Sequence, residues 1–150
     1  TASFQERIGA FVGLMNERAG ELKLSDTRFA NPAGSDDPEN YSTARDLTRL
    51  AAFIAERRPE LWAASRIRET FVFSASGQRY GAVNTNPLLG EYPAISGSKT
   101  GFEDEAKGAL VLIYQIAREE PVAMVLLRSR DRAQDGRELI RWLEENFVLQ

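Results

Sequence analysis

Residues 107–129 read KGALVLIYQIAREEPVAMVLLRS and contain two strongly apolar runs, one on each side of Arg118, Glu119 and Glu120. Apolar runs of this length, bounded by polar turn residues, are typical of buried β-strands. A connection as short as this one joins antiparallel strands, because parallel strands need a crossover of about a dozen residues or more. The stretch therefore predicts two antiparallel neighbours in one sheet.

The first part of the chain predicts a helix followed by a long loop. Ser3 and Glu6 have the spacing of a capping box, so the helix is predicted from about residue 3 to 22. Its apolar residues recur at the helical period: Phe4, Ile8, Phe11, Val12, Met15, Ala19 and Leu22. Residues 24–41 are rich in Pro, Gly, Asp and Asn, which favour turns, so they predict a loop. A loop of this length is functional or is packed down by its own side chains, here Phe29 and Tyr41.

Two further helical segments are predicted. One is capped by Ser42 or Thr43 and ends at the cationic pair 57–58, directly before Pro59, which breaks a helix. The residues PELWAAS that follow add one short helical turn. The other helix is predicted over residues 134–147, QDGRELIRWLEENF, with Leu, Ile and Phe side chains on one face.

Strand patterns occupy the middle of the chain. The segments ETFVFS and QRYGAVN predict a hairpin about residues 75–77, and a further strand-like stretch covers residues 94–104, AISGSKTGFED. The order is helices, then antiparallel strands, then a helix. The predicted fold class is therefore α+β, an antiparallel β-sheet packed by helices. The 150 residues suit one domain, and a chain of this size buries roughly 70% of its unfolded surface.

Composition excludes several classes of function. The chain contains no His and no Cys, which excludes a Ser-His-Asp triad, a Cys-His dyad and His-ligated metal sites within it. Its net charge of −3 gives no electrostatic footprint for nucleic acid or for an anionic membrane. No window approaches the ~20 apolar residues that span a bilayer. We therefore expect no nucleic-acid partner, and any membrane anchor is expected outside this chain.

Lys99, Thr100 and Gly101 form the segment with the clearest chemical meaning. Placed on an edge strand beside a cleft, a lysine ammonium and a threonine hydroxyl can hold a carboxylate through one charge-assisted and one neutral hydrogen bond. Gly101 removes a side chain, so a ligand can lie against the strand. The backbone N–H of Phe102 can then point at a developing oxyanion. The alternative is structural: these three residues simply start a hairpin.

The same stretch contains Ser96 and Lys99 at the spacing Ser-x-x-Lys, which is the signature of an acyl-transfer nucleophile. In that signature both side chains lie on one face of a helix, where residues three apart are neighbours. In a strand, residues three apart point to opposite faces. Ser96 is therefore not predicted to be a nucleophile, and Ser98 is interpreted as a strand residue near the cleft.

Several blocks of the chain together resemble one known family, the serine-type D-alanyl-D-alanine carboxypeptidases, or low-molecular-mass penicillin-binding proteins. The first block contains a Met-Asn pair followed by Thr-x-Phe-x-Asn-Pro-x-Gly: Met15, Asn16, Thr27, Phe29, Asn31, Pro32 and Gly34. The later blocks are YSTARDLTRLA, NTNPLL, ISGSKTGFEDEAKGALVL and VLLRSRDRAQDGRELIRWLEENF. They occur in the family's order from about residue 4 to 147.

The resemblance implies a reaction and a fold. Members of the family remove the terminal D-Ala from the peptidoglycan stem peptide through an acyl-enzyme on an activated serine, and penicillins acylate the same serine. Lys99 and Thr100 would bind the substrate carboxylate, Gly101 would clear the strand, and the Phe102 N–H would form half of the oxyanion hole. Ser98 would line the same strand. The implied fold is part of the DD-peptidase/β-lactamase type, and no metal or organic cofactor is implied.

An arginine near the end of the family's catalytic domain helps to hold the substrate carboxylate region. Arg130 and Arg132 are both candidates, and the spacing to Gly136 slightly favours Arg132. The alternative for either residue is a solvated arginine in a loop.

Of the family's three site motifs, only Lys-Thr-Gly occurs in its family position in this sequence. Ser-x-Asn is absent, and Ser-x-x-Lys occurs only in the overlap with Lys-Thr-Gly. We therefore expect residues 1–150 to be the C-terminal portion of a single catalytic domain, with the nucleophile upstream of Thr1 and no activity in the isolated chain. The family implies an extracytoplasmic location, in the periplasm or at the outer face of the cytoplasmic membrane. The alternatives are a non-catalytic relative that binds peptidoglycan or a partner, and a serine β-lactamase.

Overall fold

A computed structural model describes residues 2–117 and 120–147 of the chain, so Arg118 and Glu119 of the predicted strand connection lie outside the described residues. Its elements in chain order are helix α1 (Phe4–Glu21), α2 (Ala44–Arg57), α3 (Pro59–Ser65), strands β1 (Glu69–Phe73) and β2 (Arg79–Val83), a 3₁₀ helix (Pro87–Gly90), β3 (Ile95–Glu103), β4 (Lys107–Ala117), β5 (Glu120–Ser129) and α4 (Arg132–Asn146). The predicted α+β class and the predicted helices and strands are confirmed.

The strands form two antiparallel groups. β1 and β2 form a separate two-stranded ribbon, and the larger sheet has the order β3-β4-β5. The predicted pairing of the two apolar strands is present, with Leu112 of β4 opposite Met124 of β5. In the other ladder Lys99 of β3 lies opposite Val111 of β4. Within the described part of the chain, β3 is therefore an edge strand.

Helix caps fix the ends of the helices. Ser3 and Glu6 form the predicted capping box, in which Ser3 Oγ accepts from Glu6 N at 3.2 Å and Glu6 accepts from Ser3 N at 2.6 Å. The hydrogen bond from the Ser3 backbone N–H, with a smaller contribution from the Ser3 hydroxyl, holds the pKa of the Glu6 carboxyl below its ordinary value. At α2 the cap is Thr43 rather than Ser42, since Thr43 Oγ1 accepts from Asp46 N at 3.2 Å.

One face of the larger sheet packs against α4 and the 3₁₀ helix. The fully buried side chains here include Leu88, Leu110 and Ile140. Gly136 of α4 faces Leu88 and Leu110 so closely that an added Cβ would lie 2.7 Å and 3.0 Å from their methyl carbons. A small residue at this point lets the helix approach the sheet.

The opposite face is covered by α2 and α3, which contact β5 and β3 respectively. Trp62 of α3 lies directly on Gly97 of β3, where an added Cβ would be 2.6 Å from Trp62 Cβ. The indole Nε1 of Trp62 donates to the carbonyl of Ala51 in α2 at 3.2 Å. Trp62 therefore joins both helices to the edge strand.

The apolar face of α1 is largely uncovered by the described residues. Ala19 is buried, but the side chains of Phe4 and Phe11 are 65% and 53% exposed. The β1–β2 ribbon is exposed along both strands. Apolar faces of this kind are typical of surfaces that contact further protein. No helix among the described residues is long and apolar enough to cross a membrane.

The contact between Trp62 and Gly97 gives a stability prediction. Gly97→Ala should lower the free energy of unfolding by about 1–3 kcal/mol, because the new methyl group overpacks against the indole. The matched control is Gly13→Ala in α1, where an added Cβ meets nothing within 4 Å. That change should stabilise the chain by about 0.5–1 kcal/mol through helix propensity. Urea unfolding measures the free energy of unfolding of both variants. If Gly97→Ala and Gly13→Ala changed it equally, the packing of Trp62 on Gly97 would not be the cause.

Candidate functional site

The ladder between β3 and β4 determines which backbone groups of β3 remain available. Ser98 N donates to Ser65 Oγ of α3 at 3.0 Å, so this amide points away from β4. Along an antiparallel strand the amides alternate in direction, so those of Thr100 and Phe102 share the direction of Ser98. The N–H of Phe102 therefore faces the free edge, which is the direction that the predicted oxyanion role requires.

Lys99 and Thr100 lie at the same edge. The Lys99 side chain is exposed, and its ammonium donates to the Thr100 carbonyl, so the charge lies over the edge of the strand. The Thr100 hydroxyl is half-buried and lies 2.5 Å from the hydroxyl of Thr85. The structure thus brings a cation, a hydroxyl and an outward amide together on one strand edge.

Gly101 lies between these groups. A Cβ added there would meet the Ala109 side chain at 3.7 Å, which is ordinary van der Waals contact. The chain's own packing therefore does not require a glycine at this position. This observation fits the prediction that the missing side chain leaves room for a ligand along the edge.

The loop that carries Thr85 was not singled out by chemical reasoning from the sequence. Asn84 Nδ2 donates to the carbonyls of Ser65 and Ile67 at 2.9 Å and 3.1 Å. Asn86 Oδ1 accepts from Leu88 N at 3.1 Å and caps the 3₁₀ helix. The two asparagines fix the loop on both sides of Thr85. The Asn-x-Asn pattern in NTNPLL was the signal that could have found it.

The two serines before Lys99 are held within the sheet. Ser96 Oγ donates to the Ile113 carbonyl at 3.2 Å and accepts from Gln115 Nε2 at 3.2 Å, so its hydroxyl is engaged with β4. Both Ser96 and Lys99 lie on β3, as the interpretation against a Ser-x-x-Lys nucleophile expected. Ser98 is buried within the strand.

Arg132 is the first residue of α4, and Arg130 is exposed just before that helix. The Arg132 Cβ lies 3.5 Å from the position that a Cβ would take on Gly108. Gly108 is opposite Phe102 in the ladder, so Arg132 lies at the same end of the sheet as Phe102. Its role at the site stays a prediction.

A bidentate ion pair not predicted from the sequence supports the 3₁₀ helix. Arg137 of α4 donates to both carboxylate oxygens of Glu91 at 2.7 Å and 2.8 Å. These hydrogen bonds hold the pKa of Glu91 below its ordinary value and raise the pKa of Arg137. Because Glu91 directly follows the 3₁₀ helix, the pair fixes the segment that leads back to Thr85.

A polar cleft of about 510 Å³ lies between the base of the β1–β2 ribbon and the 3₁₀ helix. Its lining residues are Arg68, Glu69, Val83, Asn84, Asn86, Pro87 and Gly90. Among the described residues, Lys99, Thr100, Gly101 and Phe102 lie instead on the open edge of β3, and Arg132 lies on α4. In that same part of the chain, no three His, Cys, Asp or Glu residues come together to hold a metal ion.

Comparisons with known proteins show the family to which the chain belongs. The family model described as D-alanyl-D-alanine carboxypeptidase matches residues 7–130. The chain is 37% identical over 146 residues to the D-alanyl-D-alanine endopeptidase of Pseudomonas aeruginosa, covering 93% of this chain and 46% of that protein. It is 29% identical over 126 residues to the D-alanyl-D-alanine carboxypeptidase DacF of Bacillus subtilis, covering 84% of this chain and 32% of that protein.

Solved structures share the fold. The crystal structure of the Streptomyces K15 DD-transpeptidase superposes with a TM-score of 0.82 at 28% identity, over 95% of this chain and 56% of that one. The chain therefore belongs to the D-alanyl-D-alanine carboxypeptidase family, and the predicted DD-peptidase type of fold is confirmed. It spans less than half the length of the two curated relatives named above.

The pair between Glu91 and Arg137 predicts a pH dependence of stability. Because the folded-state pKa of Glu91 is lowered, its stabilising contribution is complete above its ordinary value of 4.5 and is lost as the pH falls through the lower folded value. Glu91→Gln should therefore lower Tm at pH 7, and the difference from wild type should shrink as the pH falls below 4.5. Glu145→Gln, on the exposed end of α4, is the control. A Tm difference that stays constant with pH would contradict the ion-pair assignment.

Proposed function

We propose that this chain supplies the substrate-binding edge strand of a serine-type D-Ala-D-Ala peptidase that acts on peptidoglycan stem peptides. One observation carries the proposal: Lys99, Thr100 and the outward N–H of Phe102 share one free strand edge in a member of this family. The names of the relatives support D-alanyl-D-alanine bonds as the target.

The edge binds the end of the substrate peptide. The Lys99 ammonium and the Thr100 hydroxyl hold the terminal carboxylate, and the peptide lies along β3 because Gly101 presents no side chain. The Phe102 amide then donates to the carbonyl oxygen of the scissile bond. A fixed donor at this point stabilises the negative charge that develops there in the transition state.

The bond-breaking groups belong to the motifs Ser-x-x-Lys and Ser-x-Asn, which the proposal assigns to chain upstream of Thr1. The serine Oγ attacks the carbonyl carbon of the penultimate D-Ala, and its proton passes through the adjacent base to the leaving amine. Terminal D-Ala departs, and water then hydrolyses the acyl-enzyme. A β-lactam would acylate the same serine. No metal or organic cofactor takes part in these steps.

Endopeptidase activity is the second candidate, because relatives of that name are 37% and 32% identical to this chain. A carboxypeptidase releases a terminal D-Ala, whereas an endopeptidase cleaves a bond inside a cross-linked peptide. The complete protein, incubated with a stem pentapeptide and with a cross-linked dimer, distinguishes the two by the products released. We place the protein outside the cytoplasmic membrane, in the periplasm or at the outer face, since peptidoglycan is there.

The complete protein should form a covalent adduct with a fluorescent penicillin at a serine upstream of Thr1. Lys99→Ala should slow this labelling about 10- to 100-fold, because a charge-assisted bond to the carboxylate is lost. Arg141→Ala removes the same charge from an exposed position on α4 and serves as the control. Labelling at Ser96, or no labelling of the complete protein, would count against the proposal. The latter result would favour a non-catalytic binding protein, and rapid turnover of penicillin would favour a β-lactamase.

A proline at position 102 tests the oxyanion donor. Phe102→Pro removes the N–H, and the ladder survives because that N–H faces away from β4, as proline on an edge strand requires. The acylation rate should fall about 10²–10³-fold. Phe102→Ala keeps the N–H and should retain most of the rate. Equal acylation rates for Phe102→Pro and Phe102→Ala would show that the Phe102 N–H is not part of the oxyanion hole.

A further inference from the structure

Polar side chains hold the long loop between α1 and α2 in one conformation. Asn16 of α1 accepts from Phe29 N and donates to the Phe29 carbonyl, each at 2.8 Å. Arg28 and Tyr41 form an antiparallel bridge with hydrogen bonds of 2.9 Å and 3.0 Å. The two arms of the loop are thus tied to α1 and to each other.

The base of the loop is tied to α2 by Asp46. This carboxylate is fully buried, and its Oδ2 accepts from Asp26 N at 2.9 Å and from Thr27 Oγ1 at 2.8 Å. Buried polar groups stay in place because breaking their hydrogen bonds leaves them without a partner. The start of the loop, at Asp26 and Thr27, is therefore held against α2.

Asn31 fixes the turn at the far end of the loop. Its Oδ1 accepts from Gly34 N at 2.8 Å and from Ser35 N at 3.1 Å, and its Nδ2 donates to the Ser35 carbonyl at 3.0 Å. Gly34 has a φ of 82°, a conformation that favours glycine. The turn presents the next residue, Asp36, toward the sheet.

Asp36 reaches across to the turn between β3 and β4. One carboxylate oxygen accepts from Glu105 N at 2.9 Å, and the other accepts from Ala106 N at 3.2 Å. Hydrogen bonds to an ionised acceptor are about twice as strong as neutral ones. Lys107 ends this turn with a φ of 61°, a left-handed conformation that is strained for a residue other than glycine. The carboxylate offsets that strain by holding two successive amides.

We propose that Asp36 is a positioning residue for the Phe102 amide, and that the segment from Asn16 to Asp36 acts as a strut which fixes the end of β3. Phe102 pairs with Gly108 in the ladder, one pair before the last pair beside this turn (Glu103 with Lys107), and its own N–H makes no bond to β4. Its direction therefore depends on where the turn is held. Because a role in catalysis requires the reaction to run on this edge, we rest this inference on the proposed function.

The test uses the complete protein with Asp36→Ala, Asp36→Asn and the control Asp37→Ala. Asp37 lies in the same loop with the same charge, and its carboxylate accepts from Glu39 N. Asp36→Asn keeps one acceptor oxygen for the turn amides, so it should give an intermediate effect. Three readouts are the kinetics of acylation by a fluorescent penicillin, hydrogen exchange of the peptide over residues 102–107, and the amide resonance of Phe102 after labelling with isotopic phenylalanine.

Asp36→Ala should lower the limiting acylation rate about tenfold, less than the loss of a whole oxyanion donor. The penicillin concentration for half the limiting rate should change by less than about twofold, because carboxylate binding at Lys99 and Thr100 is retained. Exchange over residues 102–107 should be faster, and the Phe102 resonance should move. Asp37→Ala should alter none of these.

The possible outcomes separate this inference from the proposed function. In Asp36→Ala, faster hydrogen exchange over residues 102–107 with an unchanged Phe102 resonance and an unchanged acylation rate would overturn the positioning role. Unchanged hydrogen exchange would overturn the contact between Asp36 and the turn. If the wild-type protein is not acylated, the proposed function fails. In that case a moved Phe102 resonance in Asp36→Ala supports the strut, and an unmoved one overturns it.

Discussion

The ladder between β3 and β4 is the constraint on which the candidate site depends. It directs the amides of Lys99 and Gly101 toward β4 and those of Thr100 and Phe102 toward the free edge. A register shift of one residue would exchange the two sets. Ser65 of α3 accepts a hydrogen bond from the outward amide of Ser98, so this amide is already paired. The available edge of β3 therefore begins after Ser98 and includes the Lys-Thr-Gly segment.

The surrounding elements keep this edge in place from three directions. Trp62 packs on β3 from the face covered by α3. The Asn84–Asn86 loop supports Thr100 through Thr85, and the pair between Glu91 and Arg137 joins the end of the 3₁₀ helix to α4. Asp36 holds the turn at the end of the strand. An edge strand has no partner on its open side, so its rigidity must come from such contacts.

Periodicity and capping patterns in the sequence predicted the helices and strands, because those patterns depend on residues close together in the chain. The Lys-Thr-Gly segment was also found, since its three residues are adjacent. The supporting residues were not found, because their contacts join distant positions: Thr85 and Thr100 are 15 residues apart, Glu91 and Arg137 are 46 apart, and Asp36 and Glu105 are 69 apart. The helical period likewise marked Phe4 and Phe11 without showing that their face is exposed.

Glycines show why residue type alone cannot separate packing from function. Gly97 and Gly136 look like Gly101 in the sequence, yet an added Cβ at either would lie under 3 Å from a neighbouring side chain. At Gly101 the nearest contact would be 3.7 Å, and the space is already sufficient for a methyl group. Packing accounts for the first two glycines and does not account for the third. The peptide proposed to lie along β3 would supply the missing reason, since a side chain at position 101 would stand between Lys99 and the Phe102 amide on the strand that the peptide would follow.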